Sequence, residues 1–145
     1  MINKFFGEYR FLSNFWGCNV YYNNILFPSA EHAYQINKIN NIKVQKILVQ
    51  ILDVADIKRI GGVLQLRKDW DDIKDKIMYD IVSSKFKDKR LSEMLLKTGE
   101  QELIEGNTWG DIYWGVCDGK GENKLGKILM KVRKEQNDII KEEKL

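Results

Sequence analysis

The chain has 145 residues, a formal net charge of +3 and a hydrophobic content of 43%. This length predicts one domain that buries its own core without help from disulfides or metal. The composition excludes wholesale disorder, and lysines and acids interleaved along the chain exclude a dedicated nucleic-acid tail.

The N-terminal stretch "FFGEYRFLSNFWGCNVYYNNILF" is rich in aromatic and β-branched residues. Apolar residues alternate on both sides of Asn23-Asn24, which predicts a β-hairpin across an Asn-Asn turn. Pro28 is predicted to stop the second strand. Ser29 is predicted to cap a helix that begins near Ala30.

The remainder of the chain has mainly helical periodicity. The predicted helices are "DVADIKRIGG", "DWDDIKDKIMYDIVSSKF", "LSEMLLKTG" and "NKLGKILMKVRKEQ". A short strand is predicted at "ELIEG", and residues 136–145 are predicted to form a frayed tail. The sequence therefore predicts a mainly helical α+β fold, a single domain over residues 1–145 with a small N-terminal hairpin.

Polar side chains recur along the helix that follows Pro28. Glu31, Tyr34, Gln35 and Lys38 have the spacing i, i+3, i+4 and i+7, so they share one face of a helix. This face is either solvated, with Glu31 stabilising the helix N-terminus, or a catalytic surface. The chain's single histidine, in the same segment, lies off this face, and we predict a structural hydrogen-bonding role for it.

A second candidate site is the loop "NTWGDIYWGVCDGKGEN". Asp111 lies among Trp109, Tyr113 and Trp114, and a carboxylate beside apolar rings tends to have a raised pKa or a stronger field on a nearby cation. The stretch "GKGEN" leads into the last helix, whose N–H groups could bind a phosphate. The alternative is a turn with a helix cap at Asn123.

A third candidate is the segment "GEYRFLSNFW". Arg10 can bind phosphate bidentately, and Ser13 or Asn14 can anchor a ribose hydroxyl or a base edge. The alternative is an aromatic minicore with polar turn residues. Trp70, at the start of its own helix, either packs in the core or walls a pocket.

Together, "GEYRFLSNFW", "FPSAEHAYQINK", "LRKDWDDIKDKIM", "SKF" and "GDIYWGVCDGKGENKLGKILMKVR" resemble the NADAR domain family, which includes the YbiA-like N-glycosidases. The resemblance implies cleavage of an N-glycosidic bond between ribose and an exocyclic amine. One branch of the family acts on phosphorylated riboflavin intermediates. Another removes ADP-ribose from guanine and occurs with phage or toxin–antitoxin systems.

The family motifs also imply roles for individual residues of this chain. The catalytic residues carried over are Glu31, Lys38 and Asp111. The substrate-binding residues carried over are Arg10, Ser13, Asn14, Gln35, Trp70, Trp114 and Asn123. The implied substrate is a ribosylated or ADP-ribosylated base, free or on nucleic acid, and no cofactor or metal is required.

Two mechanisms fit these residues. In one, Glu31 and Asp111 stabilise an oxocarbenium ion and handle protons. In the other, which we favour, neutral Lys38 forms a Schiff base with the opened sugar while Glu31 shuttles protons. Burial would lower the pKa of Lys38, and a close Glu31 would oppose that.

The likeness of "YRFLSNFW" to the branch that acts on guanine favours ADP-ribosyl-guanine over a riboflavin intermediate as substrate. A non-catalytic ADP-ribose- or NAD-binding module and a nucleic-acid-binding domain stay open as rivals. Two cysteines far apart, with no signal peptide and no long apolar run, predict a cytoplasmic protein without a membrane anchor. No protein partner is evident.

Overall fold

The computed structural model describes all residues from 1 to 145. Residue contacts group the chain into two compact units, one formed by Met1–Ser13 with Phe86–Leu145 and one by Asn14–Lys85. Helices predominate beside a small antiparallel hairpin, so the predicted α+β class is confirmed. None of the helices combines the length and the apolar character that a membrane span requires.

The hairpin of the unit Asn14–Lys85 pairs β1 (Gly17–Tyr22) with β2 (Ile25–Ser29). Asn23 and Asn24 have φ values of 49° and 63°, the positive angles that a tight two-residue turn needs, so the predicted Asn-Asn turn is confirmed. The prediction that Pro28 stops the strand is wrong by one residue. The strand pairing is irregular opposite Pro28, where the missing proline N–H cannot join the ladder.

Four helices complete this unit. They are α1 (Ala30–Ile36), α2 (Ile42–Leu48), α3 (Val54–Gly61) and α4 (Trp70–Lys85). Every residue of α1 is buried, and α1 packs against α3, α4 and both strands. Ser29 caps α1 as predicted, because its hydroxyl accepts a hydrogen bond from the backbone N–H of His32 at 3.0 Å.

The end of α1 differs from the prediction. The helix ends at Ile36, so Lys38 lies in the following turn and not on the helix face. The Asn37 backbone N–H still donates to the Ala33 carbonyl oxygen at 3.2 Å, and its side chain donates to the same oxygen at 2.6 Å. The next two N–H groups, of Lys38 and Ile39, bond to carbonyls three residues back, which ends the α-helix.

The other unit contains a 3₁₀ helix (Gly7–Leu12), α5 (Lys89–Lys97), β3 (Gly106–Asn107), β4 (Val116–Cys117) and α6 (Lys124–Glu143). β3 and β4 pair in parallel. The predicted strand at "ELIEG" is largely wrong. Of its residues, Gly106 lies in β3, and Leu103 makes only an isolated bridge with Ile2.

The predicted frayed tail is also wrong, since α6 continues to Glu143. Gln136 holds this part of the helix by two hydrogen bonds. Its side-chain oxygen accepts from the Ser92 hydroxyl at 2.6 Å, and its amide nitrogen donates to the Phe86 carbonyl at 2.8 Å. These bonds tie the helix to the body of its unit beyond the point where apolar periodicity weakens.

Candidate active site

The polar face of α1 is buried. Glu31 is 8% exposed and Gln35 is 6% exposed. The Gln35 side-chain nitrogen donates to a carboxylate oxygen of Glu31 at 2.7 Å. Of the two alternatives that the sequence left open for this face, the solvated helix surface is therefore wrong.

Lys38 follows this face in the turn after α1, and it is only partly exposed. Its Nζ lies 3.4 Å from the Gly61 carbonyl oxygen and 5.4 Å from the centre of the Tyr34 ring. Burial lowers the pKa of Lys38, and the negative charge of Glu31 opposes this. Both effects agree with the expectation from the sequence, and the first increases the neutral, nucleophilic fraction of the amine.

The Tyr34 ring, which lies near this lysine, packs against a second aromatic ring. Trp70 opens α4, is 4% exposed, and its ring centre lies 5.3 Å from that of Tyr34. The backbone N–H of Arg67, just before α4, donates to the Lys38 carbonyl oxygen at 2.9 Å, which fixes the approach of α4 to the turn. We did not place Tyr34 in the predicted site, although its spacing from Glu31 already put it on this face.

Asn14 supports the start of α1. Its backbone carbonyl accepts a hydrogen bond from the Glu31 N–H at 2.9 Å, and its amide nitrogen lies 3.4 Å from the Met78 sulfur. The observed role is therefore to position Glu31. A direct contact of Asn14 with substrate stays a prediction.

His32 has structural partners on both ring nitrogens. Nε2 lies 2.8 Å from the Ile51 carbonyl oxygen, which can only accept, so Nε2 carries the proton. Nδ1 lies 2.6 Å from the Ser29 hydroxyl and accepts from it. Burial lowers the pKa of His32, which keeps the ring neutral, in agreement with the structural role expected from the sequence.

Lys85, in the "SKF" segment, is a second lysine whose pKa is lowered. It ends α4, is 1% exposed, and complete burial lowers its pKa to about 8. This segment is among those that resemble the family, and no role is predicted for it from the sequence. A lysine inside an otherwise apolar helix face is the signal that marks it, since lysines are rarely buried.

In the other unit, Asp111 organises its own loop. One carboxylate oxygen accepts from the N–H groups of Tyr113 at 3.1 Å and Trp114 at 2.9 Å. Asn107, which the sequence analysis did not single out, braces the loop by exchanging hydrogen bonds with the backbone of Asp111 at 3.0 and 2.8 Å. The hydrogen bonds of the Asp111 side chain to the N–H groups that follow it are typical of an Asx turn. A catalytic role of Asp111 stays a prediction.

The phosphate site predicted at "GKGEN" is wrong. The N–H groups of Lys124 and Leu125, at the start of α6, donate to the carbonyls of Tyr113 at 3.2 Å and Trp114 at 2.9 Å. They are therefore occupied by the loop that precedes the helix.

Asn123 is the N-cap residue of α6, as expected from the alternative of a turn with a helix cap, but its side chain makes no capping hydrogen bond. Its amide donates to the Leu103 carbonyl at 2.9 Å and accepts from the Glu105 N–H at 2.9 Å. Since Asn123 is buried and both ends of its amide are bonded to backbone, the observed role is to tie α6 to the preceding segment. Its predicted contact with substrate stays a prediction.

Three predicted binding residues remain, Arg10, Ser13 and Trp114. Arg10 is exposed on the 3₁₀ helix, and its carbonyl accepts from the Ser13 N–H at 3.0 Å. The ring of Trp114 packs edge-on against Tyr113 at 4.8 Å. Contacts of these three residues with substrate stay predictions.

The titratable side chains form no metal centre. No group of three or more His, Cys, Asp or Glu side chains is placed to hold a metal ion.

Fold and site together define an α+β protein in which the charge of a buried carboxylate, Glu31, acts on the Lys38 amine, and these two groups are suited to proton transfer and imine chemistry. The chain belongs to the NADAR domain family, whose model matches residues 4–136. It is also similar to the NMR structure of the Escherichia coli protein YbiA, with a TM-score of 0.81 and 30% identity over 97% of this chain and 89% of that one. The predicted YbiA-like fold is thus confirmed.

Curated relatives carry two kinds of name. An N-glycosidase of Nostoc punctiforme is 34% identical over 94% of this chain and 92% of its own length. The N-glycosidase YbiA of Escherichia coli is 30% identical over 88% of this chain and 82% of its own length. A riboflavin biosynthesis protein of Vibrio vulnificus is 39% identical over 88% of this chain, but the match spans only 36% of that protein. The predicted enzyme class agrees with the N-glycosidase names.

Proposed function

We propose that this chain hydrolyses the N-glycosidic bond between a phosphorylated ribose and an exocyclic amine, with ADP-ribose on guanine as its substrate. The observation that carries the proposal is that Lys38 lies partly exposed beside the Tyr34 ring, and that its pKa is lowered by burial while the charge of buried Glu31 opposes this shift. The N-glycosidase names of relatives support the bond type. The choice of guanine follows from the likeness of "YRFLSNFW" to that branch of the family.

The lysine route makes direct use of Lys38 and Glu31. After the sugar ring opens to an imine, neutral Lys38 adds to C1′ and the base leaves with its amine nitrogen protonated. Water then hydrolyses the imine between Lys38 and the sugar, which frees the amine and releases the ribose. Glu31 carries the protons between the two amines and water, and Gln35 holds its carboxylate in place.

A phosphorylated intermediate of riboflavin biosynthesis is the second candidate substrate. It is favoured by the riboflavin biosynthesis proteins of Vibrio vulnificus and Zea mays among the relatives, at 39% and 32% identity. The matched part is a minor share of both proteins, 36% and 20% of their lengths. The same Glu31–Lys38 chemistry serves both substrates, because both present ribose on an exocyclic amine.

Direct assay of product release separates the candidates. The protein is incubated with an ADP-ribosylated guanine oligonucleotide and, separately, with the phosphorylated ribosylamine intermediates of riboflavin synthesis. Release of ADP-ribose in the first incubation supports the proposal, and release of ribose 5-phosphate only in the second moves the substrate to the riboflavin branch. Binding of ADP-ribose without release from either substrate would instead indicate a non-catalytic module.

Borohydride trapping tests the nucleophile. Wild-type protein reduced during turnover should retain a sugar adduct on Lys38, and Lys38→Ala should retain none. Lys85→Met is the matched control, since Lys85 also has a lowered pKa but is 1% exposed. An adduct that persists in Lys38→Ala, or that peptide mapping places on Lys85, would show that Lys38 is not the nucleophile.

A further inference from the structure

Gly61, the last residue of α3, lies directly against the Gln35 side chain. A Cβ atom built on Gly61 would lie 1.9 Å from Oε1 of Gln35, 2.6 Å from its Cδ and 2.9 Å from its Cβ. Rotating the amide alone would not relieve this overlap, because the Gln35 Cβ is fixed to helix α1. Any larger residue at position 61 therefore has to displace Gln35.

The backbone itself does not require glycine at this position. Gly61 is helical and lies outside the left-handed region, where alanine would be the better helix former. The neighbouring Gly62 has φ and ψ of −69° and −16°, and a Cβ there would meet nothing closer than the Arg59 carbonyl oxygen at 3.4 Å. The requirement for glycine at position 61 thus comes from Gln35.

The amide of Gln35 is held in one orientation, although this leaves one of its two polar atoms without a hydrogen bond. Its nitrogen donates to Glu31, while its oxygen is buried without a hydrogen-bond partner. Buried acceptors are rarely left unpaired. Close contact with Gly61 confines the side chain, and the carboxylate of Glu31 selects the nitrogen as the group that faces it.

Gly61 also lies close to the Lys38 amine. The Gly61 carbonyl oxygen lies 3.4 Å from Nζ of Lys38. One residue therefore supports both reactive groups, Glu31 through the Gln35 amide and Lys38 through its own carbonyl.

We infer that Gly61 and Gln35 are positioning residues. They hold the Glu31 carboxylate and the Lys38 amine in the relative positions that the reaction requires. The inference rests on the proposed N-glycosidase function. In this inference Gln35 orients the Glu31 carboxylate, instead of making the substrate contact predicted from the sequence.

The test compares Gly61→Ala with Gly62→Ala in the N-glycosidase assay. Gly61→Ala should lower kcat by about 10- to 100-fold while KM changes little, since displacing a catalytic group by about 1 Å can cost that much. Gly62→Ala should keep wild-type kcat and KM. Equal kcat in the two variants, or a loss in Gly61→Ala confined to KM, would overturn the inference.

A double variant shows whether Gly61 acts through Gln35. Gln35→Gly removes the amide and also the Cβ, so no side-chain atom of residue 35 stays near position 61. Adding Gly61→Ala to Gln35→Gly should therefore lower kcat by less than threefold further. A further loss as large as that in the wild-type background would place the effect of Gly61 elsewhere.

A readout without turnover keeps this inference separate from the proposed function. In NMR spectra, Gly61→Ala should shift the side-chain amide signals of Gln35, and Gly62→Ala should leave them in place. If wild-type protein is inactive on every substrate, the proposed function fails and these spectra still decide whether Gly61 positions Gln35. Unmoved Gln35 signals in Gly61→Ala would overturn the inference whatever the activity.

Discussion

The carboxylates of Glu31, on the polar face of α1, and Asp111, in its loop, have opposite kinds of partner. Glu31 accepts a hydrogen bond from the side chain of Gln35. Asp111 accepts hydrogen bonds from the backbone N–H groups of Tyr113 and Trp114. The first arrangement orients groups that can react, whereas the second specifies the path of the chain. Substitutions in the first should therefore alter the reaction, and substitutions in the second should alter stability.

The largest effect should come from Glu31→Gln. Loss of the carboxylate should lower kcat by about 10²- to 10⁴-fold, the usual contribution of a positioned acid or base. The variant should also lower the pKa of Lys38 further, because the charge of Glu31 now opposes that shift. Steady-state kinetics measure kcat, and titration of isotope-labelled Lys38 measures its pKa. Unchanged kcat with an intact fold would remove Glu31 from the reaction.

Asn123→Gly tests the second arrangement. Glycine keeps the left-handed backbone, where φ is 53°, but removes both hydrogen bonds to Leu103 and Glu105. The free energy of unfolding should fall by about 2–4 kcal/mol, since two buried backbone groups lose their partner. Denaturant unfolding measures the change, with exposed Asn19→Ala as a control expected to cost little. A near-neutral result would contradict the structural role of Asn123.

Two substitutions at Asp111 separate charge from loop structure. Asp111→Ala removes the acceptor of two N–H groups and should cost about 1–3 kcal/mol of unfolding free energy. Asp111→Asn keeps an acceptor oxygen and should stay within about 1 kcal/mol of wild type. If the predicted catalytic role is right, Asp111→Asn still loses turnover. Full activity of folded Asp111→Asn would assign Asp111 to loop structure alone.

The smallest effect concerns His32, a structural residue within α1 itself. Folding lowers its pKa below the ordinary value of 6.5, so the unfolded chain binds more protons in the pH range below that value. Its contribution to the free energy of unfolding is therefore complete above about pH 6.5 and declines as pH falls towards the lowered pKa. Denaturant unfolding at several pH values measures this. His32→Gln should reduce the dependence, and identical pH profiles would contradict it.

Local chemistry made part of this fold predictable. Asn23-Asn24 supplies the positive φ values of a tight turn, and Ser29 supplies the oxygen of a helix cap. The spacing of Glu31 and Gln35 placed them one turn apart on a helix face. Each of these inferences depends on residues close together in sequence.

The features that sequence did not reveal depend on distant partners. Gly61 reads as a helix stop, and its contact with Gln35 appears only when α3 packs on α1. The start of α6 reads as an open anion site because nothing in the sequence shows that loop carbonyls occupy its N–H groups.

The contrast between Lys38 and Lys85 has a consequence for ligand design. Both amines have lowered pKa values, but Lys85 is 1% exposed while Lys38 is partly open to solvent. An aromatic aldehyde would condense reversibly with an amine that is both accessible and neutral. A ribose mimic bearing an aromatic aldehyde should therefore label Lys38 in preference to exposed lysines, because burial increases the neutral fraction of the Lys38 amine, and so offers a route to selective inhibitors.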